Sequence, residues 1–547
     1  MRLARLLPAA LFLLASPGAA RDTPAPVAAA KPPAPRLIVV ISVDQFSADL
    51  FAQYRNRFTG GFARLLNGAV FPAGYQGHAA TETCPGHSTI MTGDRPARTG
   101  IIANDWFDLR GVRPGEVYCM EDESKGTYDD YIASDMHLRV PTLGERMKAA
   151  DSRVRTVSVA GKDRAAILMG GHKIDQLWFW RDGKGFISYT DRAVPASVNH
   201  ANAAVTAAIA RPGSAFAEPA WCAGVDRPIL ANGRTVGNGR FARLAKKVDL
   251  WKASPAFDTA IFGLATDMVR DLKLGRGPST DVLTIGASAT DYVGHAYGTE
   301  GSEMCIQLAN LDRTLGQFFA MLDRTGVDYV VALTADHGGN DIPERERERG
   351  VPSADRVATE LLPKNLGPAI AASLGLKGQL LYGGVNGDIW IDAALTPSER
   401  ARALAETARR YRAHPQVEAV FTRDDVAAAP LPSGPPETWS LLQRARASFD
   451  PQRSGDLLVF LKPYITSITP RISATGAVAT HGSIWDYDRR VPILFWRRGM
   501  KGFEQPLSVE TVDIMPSLAA LLGFALAPGD VDGRCLDLDG GPRSTCP

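Results

Sequence analysis

The sequence lacks a strong charge of either sign. Its 61 lysines and arginines nearly balance 59 aspartates and glutamates, for a formal net charge of +2 over 547 residues. Such a chain has no bulk attraction for nucleic acid or for an anionic membrane. We therefore expect no nucleic-acid-binding surface, and any anion must be recognised by a few charges placed locally.

Long hydrophobic runs are also scarce. After the N-terminus, no stretch of eighteen uninterrupted apolar residues occurs, so no membrane-spanning helix is predicted. The N-terminus itself has two arginines, an apolar run from Leu6 to Ala15 and small residues ending at Ala20. This pattern predicts a secretory signal peptide over residues 1–20, no membrane anchor after its cleavage, and a periplasmic or secreted protein. An anchor that is never cleaved is the alternative.

Cysteine is rare, and its spacing is not that of a zinc ribbon. The six cysteines are Cys84, Cys119, Cys222, Cys305, Cys535 and Cys546. An even number in an exported protein indicates disulfides, and six cysteines allow fifteen complete pairings. Because Cys535 and Cys546 close a short loop, we favour that pair. The other pairings stay open.

The apolar runs that are present predict strands of an α/β fold. LIVVISVDQ, DVLTIGASATD, DYVVALTADHGG, RVRTVSVAGKDR and RVPILFW are apolar on both faces, which is typical of buried parallel strands. Helical patterns lie between them; PTLGERMKAA, for example, carries a capping box from Thr142 to Glu145. Strands that alternate with helices predict a parallel or mostly parallel sheet with helices on both faces.

Two regions depart from this alternation. Residues 342–470 begin with the charged run PERERER and contain proline-rich pieces, so we interpret them as an inserted cap region. The core would then be discontinuous, over 37–341 and 471–547, after a flexible Ala/Pro-rich leader at 21–36. QLWFWRDGKGFISYT predicts a hairpin that projects from the core. Its aromatic residues could form a wall for a leaving group, or its apolar face could pack on the core.

Three of the predicted strands end near an aspartate, and ligands of open α/β sheets bind beyond the carboxyl ends of strands. Asp44 and Asp291 are two of these aspartates, and Asp336 with His337 follows the third. If a helix begins at Asp291, His295 lies on the same face four residues later. A single such aspartate is commonly a helix cap, and a lone histidine such as His481 is commonly structural.

Taken together, these residues offer carboxylate oxygens and imidazole nitrogens without thiolates, which suits zinc in an open catalytic site. Two clusters predict two Zn²⁺ per chain, a pair that can hold both oxygens of an in-line displacement at phosphorus. Lys162 and Arg164 in GKDR supply cations for a phosphoryl group, and Asn104 supplies an amide. Taken singly, the two cations could be a solvated surface pair and Asn104 a turn residue.

The nucleophile is predicted within TETCPGHSTIMTG, residues 81–93. Pro85 fits the first turn of a helix, so Thr83 lies at or beside its N-cap, where the helix dipole favours an anion. Cys84 is the intrinsically stronger nucleophile but should point away if Thr83 faces a metal ion. The remaining candidates are expected to pack, to bond to the helix backbone or to precede the helix: Thr81, His87, Ser88, Thr89 and Thr92.

TETCPGHSTIMTGDRPARTGIIANDW resembles the nucleophile region of the alkaline phosphatase superfamily, and the spacing from Thr83 to Asn104 is similar to that of its threonine branch. Together with SVDQ, GKDR, TDYVGH, ADHGG and THGS, the chain resembles the PafA-type alkaline phosphatases over nearly its whole length. The resemblance implies a doubly wound, mostly parallel α/β sheet with an inserted cap. It also implies hydrolysis of small phosphate monoesters through a phosphothreonine.

The resemblance implies a role for each candidate residue. Thr83 attacks phosphorus and ligates one zinc with Asp44, Asp336 and His337, whereas Asp291, His295 and His481 hold the other zinc. Asn104, Lys162 and Arg164 bind the phosphoryl group, and Lys162 replaces the magnesium site of other alkaline phosphatases.

Three other functions share features with the same sequence. A phosphodiesterase shares the metal ligands and Thr83, but the charges of GKDR favour the extra charge of a monoester. A sulfatase is disfavoured because Pro85 directly follows Cys84 and no arginine completes the motif. A non-catalytic carrier of metal or phosphate would need no nucleophile. The oligomeric state is open, with a monomer as the working expectation.

Overall fold

The computed structural model describes residues 33–189, 192–241, 243–470 and 476–547. The predicted signal peptide and most of the predicted leader lie outside the described residues. The chain from Pro35 to Pro547 forms one compact unit.

Strands and helices alternate along the chain, as the sequence predicts. The strands are β1 (Leu37–Val43), β2 (Ala69–Tyr75), β3 (Asp105–Asp108), β4 (Gly115–Tyr118), β5 (Glu121–Gly126), β6 (Tyr131–Ala133), β7 (Thr156–Ala160), β8 (Gln176–Arg181), β9 (Gly185–Ile187), β10 (Ile229–Ala231), β11 (Arg234–Val236), β12 (Asp281–Ala287), β13 (Tyr329–Thr334), β14 (Asp355–Arg356), β15 (Leu381–Gly383), β16 (Gly387–Ile391), β17 (Val417–Thr422), β18 (Leu457–Leu461), β19 (Ile465–Thr466), β20 (Arg490–Arg497), β21 (Phe503–Glu504) and β22 (Val509–Glu510). The α-helices are α1 (Ala48–Tyr54), α2 (Gly61–Leu65), α3 (Thr83–Thr92), α4 (Pro96–Thr99), α5 (Leu143–Ala150), α6 (Asp163–Gly170), α7 (Ala196–Ile209), α8 (Val248–Lys252), α9 (Pro255–Asp271), α10 (Ala289–Tyr297), α11 (Ser302–Thr325), α12 (Pro343–Glu348), α13 (Pro363–Leu374), α14 (Pro397–Arg412), α15 (Arg423–Ala428), α16 (Leu441–Arg446), α17 (Asp486–Arg489) and α18 (Ile514–Leu522).

The main sheet has the order β21-β2-β20-β13-β1-β12-β7-β8-β9, with β22 beside β2. Its five central strands, from β13 to β8, are parallel to one another. β20, formed by the predicted strand RVPILFW, runs antiparallel to β13 and to β2. The prediction of a mostly parallel α/β sheet is therefore confirmed.

The sheet is covered on both faces because its central strands carry buried apolar residues on both sides. Along β1, Leu37, Val39 and Ile41 pack into one hydrophobic core, while Ile38 and Val40 pack into the core on the opposite face. Alternating side chains point to opposite faces of a sheet, so a continuous apolar run has two layers to fill. Helices such as α9 and α11 cover one face, and α3, α6 and α18 cover the other.

The predicted aromatic hairpin forms, but its predicted position was wrong. β8 and β9 pair at the edge of the main sheet, with Gly183 at a positive φ of 75° in the turn. Trp178 packs into one core and Phe179 into the other, so these aromatic side chains are buried on the two faces of the sheet. The hairpin therefore does not project from the core; the alternative, in which its apolar residues pack on the core, is what the structure shows.

A second sheet lies within the predicted cap region. Its order is β15-β16-β18-β17, and residues such as Ile389, Tyr411 and Val459 form a hydrophobic core of its own. The boundaries placed at 341 and 471 stay predictions.

All six cysteines form disulfides, which are Cys84–Cys119, Cys222–Cys305 and Cys535–Cys546. The predicted Cys535–Cys546 pair is confirmed, and the other two pairings are decided by the fold. In the part of the chain that is described, no helix is both long and apolar enough to cross a bilayer.

Candidate active site

The predicted ligands converge because their parent strands are neighbours. β1 lies between β12 and β13, so the segments after these three parallel strands meet at one edge of the sheet. The first group consists of Asp44, Asp336 and His337, and the second of Asp291, His295 and His481. Within each group, one ligand atom per residue lies within 4.8 Å of the others. The structure therefore brings the six residues together in the two groups that the resemblance implies, and their binding of metal stays a prediction.

The first group is buried, and its histidine presents one nitrogen to the carboxylates. His337 Nε2 lies 3.4 Å from Asp44 Oδ1 and 3.3 Å from Asp336 Oδ2. The other ring nitrogen, Nδ1, lies 2.8 Å from the carbonyl oxygen of Gly338. Burial lowers the pKa of His337 to about 3, so this imidazole is neutral, which is the form that ligates metals.

The second group forms around Asp291, which lies in the first turn of α10 and not at the end of a strand. His295 follows one turn later, with its Nε2 3.2 Å from Asp291 Oδ1, and His481 Nε2 lies 3.4 Å from the same oxygen. The Nδ1 atoms of the two histidines contact the backbone carbonyls of Ala479 and Thr81, each at 2.9 Å. Such a backbone contact orients a metal-ligating histidine in many proteins.

Several buried atoms in these groups have unmet bonding capacity. Among the described residues, Asp44 Oδ1, Asp291 Oδ1 and Asp336 Oδ2 accept no well-oriented hydrogen bond, and His337 Nε2 also has none. Burial, followed by the charge of Asp336, raises the pKa of Asp44 well above its usual range. Buried carboxylates without partners are costly unless they are paired or coordinate a cation. The donor set of oxygens and nitrogens without sulfur therefore fits two divalent cations such as zinc.

Lys162 links the two groups. Its Nζ lies 2.7 Å from Asp44 Oδ2, 2.6 Å from Asp291 Oδ2 and 3.4 Å from Thr83 Oγ1. Burial acts to lower the pKa of Lys162, but Asp291 and Asp44 outweigh it and raise the pKa above its usual range. The ammonium group therefore stays charged beside the predicted nucleophile.

Thr83 is the first residue of α3 and is buried. The prediction that Thr83 lies at or beside the N-cap of a helix is therefore confirmed. At this end of α3, unpaired N–H groups and the helix dipole favour negative charge. His87, one turn later, lies with Nδ1 2.9 Å from the carbonyl oxygen of Thr83 and 3.1 Å from Asp336 Oδ2. His87 therefore has the structural role predicted for it, because it joins α3 to the first group.

The rival nucleophiles are all engaged elsewhere. Cys84 forms a disulfide with Cys119, so it is neither a free thiol nor a residue that a sulfatase could oxidise. Ser88, Thr89 and Thr92 donate to backbone carbonyls of their own helix, as predicted. Thr81 donates to the carbonyl oxygen of Ser483 at 2.6 Å.

Asn104 is oriented by the start of α3. Its Oδ1 accepts a hydrogen bond from the N–H of Cys84 at 2.8 Å, which leaves the amide NH₂ as the group that can donate to a ligand. The backbone N–H of Asn104 donates to Glu82 Oε2 at 2.6 Å. Burial raises the pKa of Glu82 to about 7. No role for Glu82 is predicted from the sequence, although its position directly before Thr83 is a signal of one.

Arg164 lines a surface cavity together with Asn104 and Tyr118. A second cavity, of about 220 Å³, extends from Asn104 and Gly482 to Trp390 and Phe460 on the second sheet. The sequence carried no signal for Tyr118 or for the walls of this second cavity, because they come from distant segments that only folding brings together.

Gly86 allows α3 to pack directly against the first group. A Cβ at this position would overlap the carbonyl oxygen of Asp336, which is a backbone atom and cannot turn aside as a flexible side chain could. We expect Gly86→Ala to lower the free energy of unfolding by about 1–3 kcal/mol and to reduce activity, because α3 must shift with Thr83. Thermal denaturation and phosphatase assays check both effects.

Gly263 provides the matched control. It lies on the exposed side of α9, and a Cβ there would meet nothing within 4 Å. Gly263→Ala should raise the free energy of unfolding by up to about 1 kcal/mol and leave activity unchanged. Equal stability of the two variants would contradict the close approach of α3 to Asp336.

The fold and the two ligand groups beside a helix-borne threonine define an α/β enzyme of the alkaline phosphatase superfamily. Residues 38–484 match the type I phosphodiesterase / nucleotide pyrophosphatase family, and the chain belongs to this family. Alkaline phosphatase PhoK of Sphingomonas sp is 55% identical over 94% of this chain and 92% of its own length. Alkaline phosphatase PhoD of Zymomonas mobilis subsp. mobilis is 49% identical over 94% of this chain and 89% of its own length.

A solved structure of wild-type alkaline phosphatase PafA superimposes with a TM-score of 0.78 at 26% identity, covering 92% of this chain and 98% of that one. Within its family, the chain is therefore an enzyme of the alkaline phosphatase type. The predicted resemblance to the PafA-type enzymes is confirmed.

Proposed function

We propose that this enzyme is an exported, di-zinc phosphate monoesterase that acts through a phosphothreonine on Thr83. The observation that carries the proposal is the position of Lys162 Nζ, within 3.4 Å of Thr83 Oγ1 and between Asp44 and Asp291. One buried cation thus adjoins the nucleophile and both candidate metal groups. The alkaline phosphatase relatives support small phosphate monoesters as the substrate class.

The residues of the chain divide the work of phosphoryl transfer. Asp44, Asp336 and His337 would hold one zinc, and Asp291, His295 and His481 the other. When bound, two zinc ions supply Lewis-acid stabilisation of the attacking and leaving oxygens. Thr83 Oγ1 attacks phosphorus as the ester oxygen leaves, and water then attacks the phosphothreonine and releases Thr83 with inorganic phosphate. The helix dipole of α3 favours the anionic form of Thr83.

The phosphoryl oxygens need donors that do not have to reorganise during the reaction. Lys162 and Arg164 supply two positive charges, and the NH₂ of Asn104 supplies a neutral donor. A phosphate monoester carries one more negative charge than a diester. The buried charge of Lys162 beside Thr83 and the half-buried charge of Arg164 near Asn104 therefore favour the monoester over the diester.

Export is supported by the bonding state of the cysteines. The three disulfides use every cysteine of the chain, and disulfides persist in oxidising compartments. Together with the predicted signal peptide, they support a periplasmic or secreted location. Western blotting of cell fractions, with cleavage after Ala20 checked by mass spectrometry, tests this part of the proposal.

Lys162→Ala and Arg164→Ala test the choice between monoesterase and diesterase. We expect kcat/KM for p-nitrophenyl phosphate to fall by about 100-fold in each variant, because each loses a charge-assisted contact to the transferred group. For bis-p-nitrophenyl phosphate, which lacks the extra charge, the loss should be smaller. Steady-state kinetics on both substrates, with zinc present, measures the two ratios.

Lys148 is a suitable control because its ion pair with Asp175 lies away from the candidate site, on α5. Lys148→Ala should leave both rates unchanged. If the protein prefers the diester, or if Lys162→Ala and Arg164→Ala lower both rates equally, the monoesterase proposal is wrong. Zinc binding without hydrolysis of either substrate would instead support the non-catalytic carrier.

A further inference from the structure

Among the described residues, one side chain, that of Tyr118, forms a hydrogen bond with the guanidinium group of Arg164. Its Nη1 donates to the hydroxyl of Tyr118 at 3.2 Å, and its Nε has no hydrogen-bond partner among the described residues. Arg164 lines a surface cavity with Asn104. A guanidinium group has five N–H donors, so the contact with Tyr118 orients the group and leaves other donors for a ligand.

The hydroxyl of Tyr118 is itself held in one direction. It donates to Asp163 Oδ1 at 2.7 Å, and the other oxygen of Asp163 accepts from the hydroxyl of Tyr131. Burial, together with the charge of Asp163, raises the pKa of Tyr118 well above its usual value. The phenol of Tyr118 therefore stays protonated. Its O–H donates a hydrogen bond to Asp163, and its oxygen accepts one from Arg164.

The Cys84–Cys119 disulfide connects the segment of Tyr118 to that of Thr83. Tyr118 precedes Cys119, whose disulfide partner Cys84 directly follows Thr83. Both half-cystines also bind Asn104, because the N–H of Cys119 donates to its backbone carbonyl at 2.9 Å and the N–H of Cys84 donates to its side chain at 2.8 Å. Three segments that are distant in sequence are thus fastened within a few residues of Thr83.

We propose that Tyr118 is a positioning residue for Arg164, and that the Cys84–Cys119 disulfide keeps Tyr118 and Asn104 aligned with Thr83. The inference rests on the proposed function, in which Arg164 binds the extra charge of the monoester. It assigns Tyr118 no contact with substrate, because Tyr118 acts through Arg164 alone.

Tyr118→Phe removes the hydroxyl and keeps the ring. We expect kcat/KM for p-nitrophenyl phosphate to fall about 10-fold and inhibition by inorganic phosphate to weaken by a similar factor, since a hydrogen bond to a charged group is lost. Hydrolysis of bis-p-nitrophenyl phosphate should change less than about 2-fold. In an Arg164→Ala background, Tyr118→Phe should have no further effect on the monoester.

Tyr329→Phe is the matched control. Tyr329 begins β13, and its hydroxyl donates to Asp323 at 2.8 Å and accepts from Arg64 at 3.0 Å, so it makes the same pair of contacts away from Arg164. This variant should keep the ratio of monoesterase to diesterase activity of the parent. If Tyr118→Phe lowers both activities equally, or retains its full effect in the Arg164→Ala background, Tyr118 is merely structural and the proposal is overturned. A parent protein that hydrolyses neither ester would instead overturn the proposed function.

The disulfide is tested by a pair of double variants. Cys84→Ser with Cys119→Ser should lower kcat/KM for the monoester several-fold at temperatures well below unfolding, together with the monoester-to-diester ratio. Cys535→Ser with Cys546→Ser removes a bridge of the C-terminal segment and should leave that ratio unchanged. If both double variants keep the ratio, the Cys84–Cys119 bridge does not align the site.

Discussion

Thr83→Ala should reduce the monoesterase kcat by roughly 10,000-fold or more, because removal of a covalent nucleophile leaves only binding and electrostatic stabilisation. The methyl group of alanine fits a position at the start of α3, so the fold and both ligand groups should persist. Rapid-quench experiments should show a burst of p-nitrophenol with the parent protein and no burst with Thr83→Ala. Denatured parent enzyme should carry phosphate on the peptide that contains Thr83.

Thr83→Ser is the control for this prediction, because it keeps a hydroxyl at the same helix terminus. It should retain measurable turnover and form a phosphoserine at position 83. Zinc content and thermal stability should be close to those of the parent in both variants. Substantial activity of Thr83→Ala, or phosphate found on any other residue, would exclude Thr83 as the nucleophile.

Removal of metal should have the second-largest effect. After treatment with a chelator, we expect the monoesterase rate to fall on the order of 1,000-fold, because two cations contribute several kcal/mol of transition-state stabilisation. Added zinc should restore the rate, and elemental analysis should find two zinc ions per chain. The midpoint of thermal unfolding should also fall on chelation, since cations that bind the folded state stabilise it.

Variants separate the two ligand groups. Asp336→Asn should remove zinc from the first group and Asp291→Asn from the second, so each variant should retain about one zinc per chain and little activity. Asp267→Asn is the control, since Asp267 lies on α9 in a weak surface ion pair, 3.7 Å from Arg270. Full activity in the metal-free protein, or two zinc ions retained in Asp336→Asn, would contradict the assignment.

Much of the core could be predicted from the sequence because its signals are local. A strand with apolar residues on both sides, such as β1, must be buried on both faces wherever it lies in the sheet. The capping box of α5 forms between Thr142 and Glu145, three residues apart. Asp291 and His295 share one face of α10 because a helix repeats about every four residues.

The hairpin of β8 and β9 shows where local patterns fail. Its sequence correctly indicates two strands and a turn at Asp182-Gly183, but both an isolated hairpin and a sheet edge agree with that pattern. Pairing with β7 decides between these two arrangements. β8 lies parallel to β7 at the edge of the main sheet, and the aromatic residues of β8 are buried in the two cores. A local residue pattern predicts a strand but does not identify the neighbouring strand with which it pairs.

The sequence by itself determined the local elements and the chemical groups that they carry: the strands that precede Asp44 and Asp336, the helix that begins near Thr83, and the oxygen and nitrogen ligands. Tertiary structure alone decided where those groups meet. It stacked His481 on His337 with ring centroids 3.6 Å apart, placed Lys162 between two carboxylates, and joined Cys84 to Cys119. The physical reason is that residue types and local periodicity are properties of the chain, whereas a distance between remote side chains is set only when strands pair and helices pack.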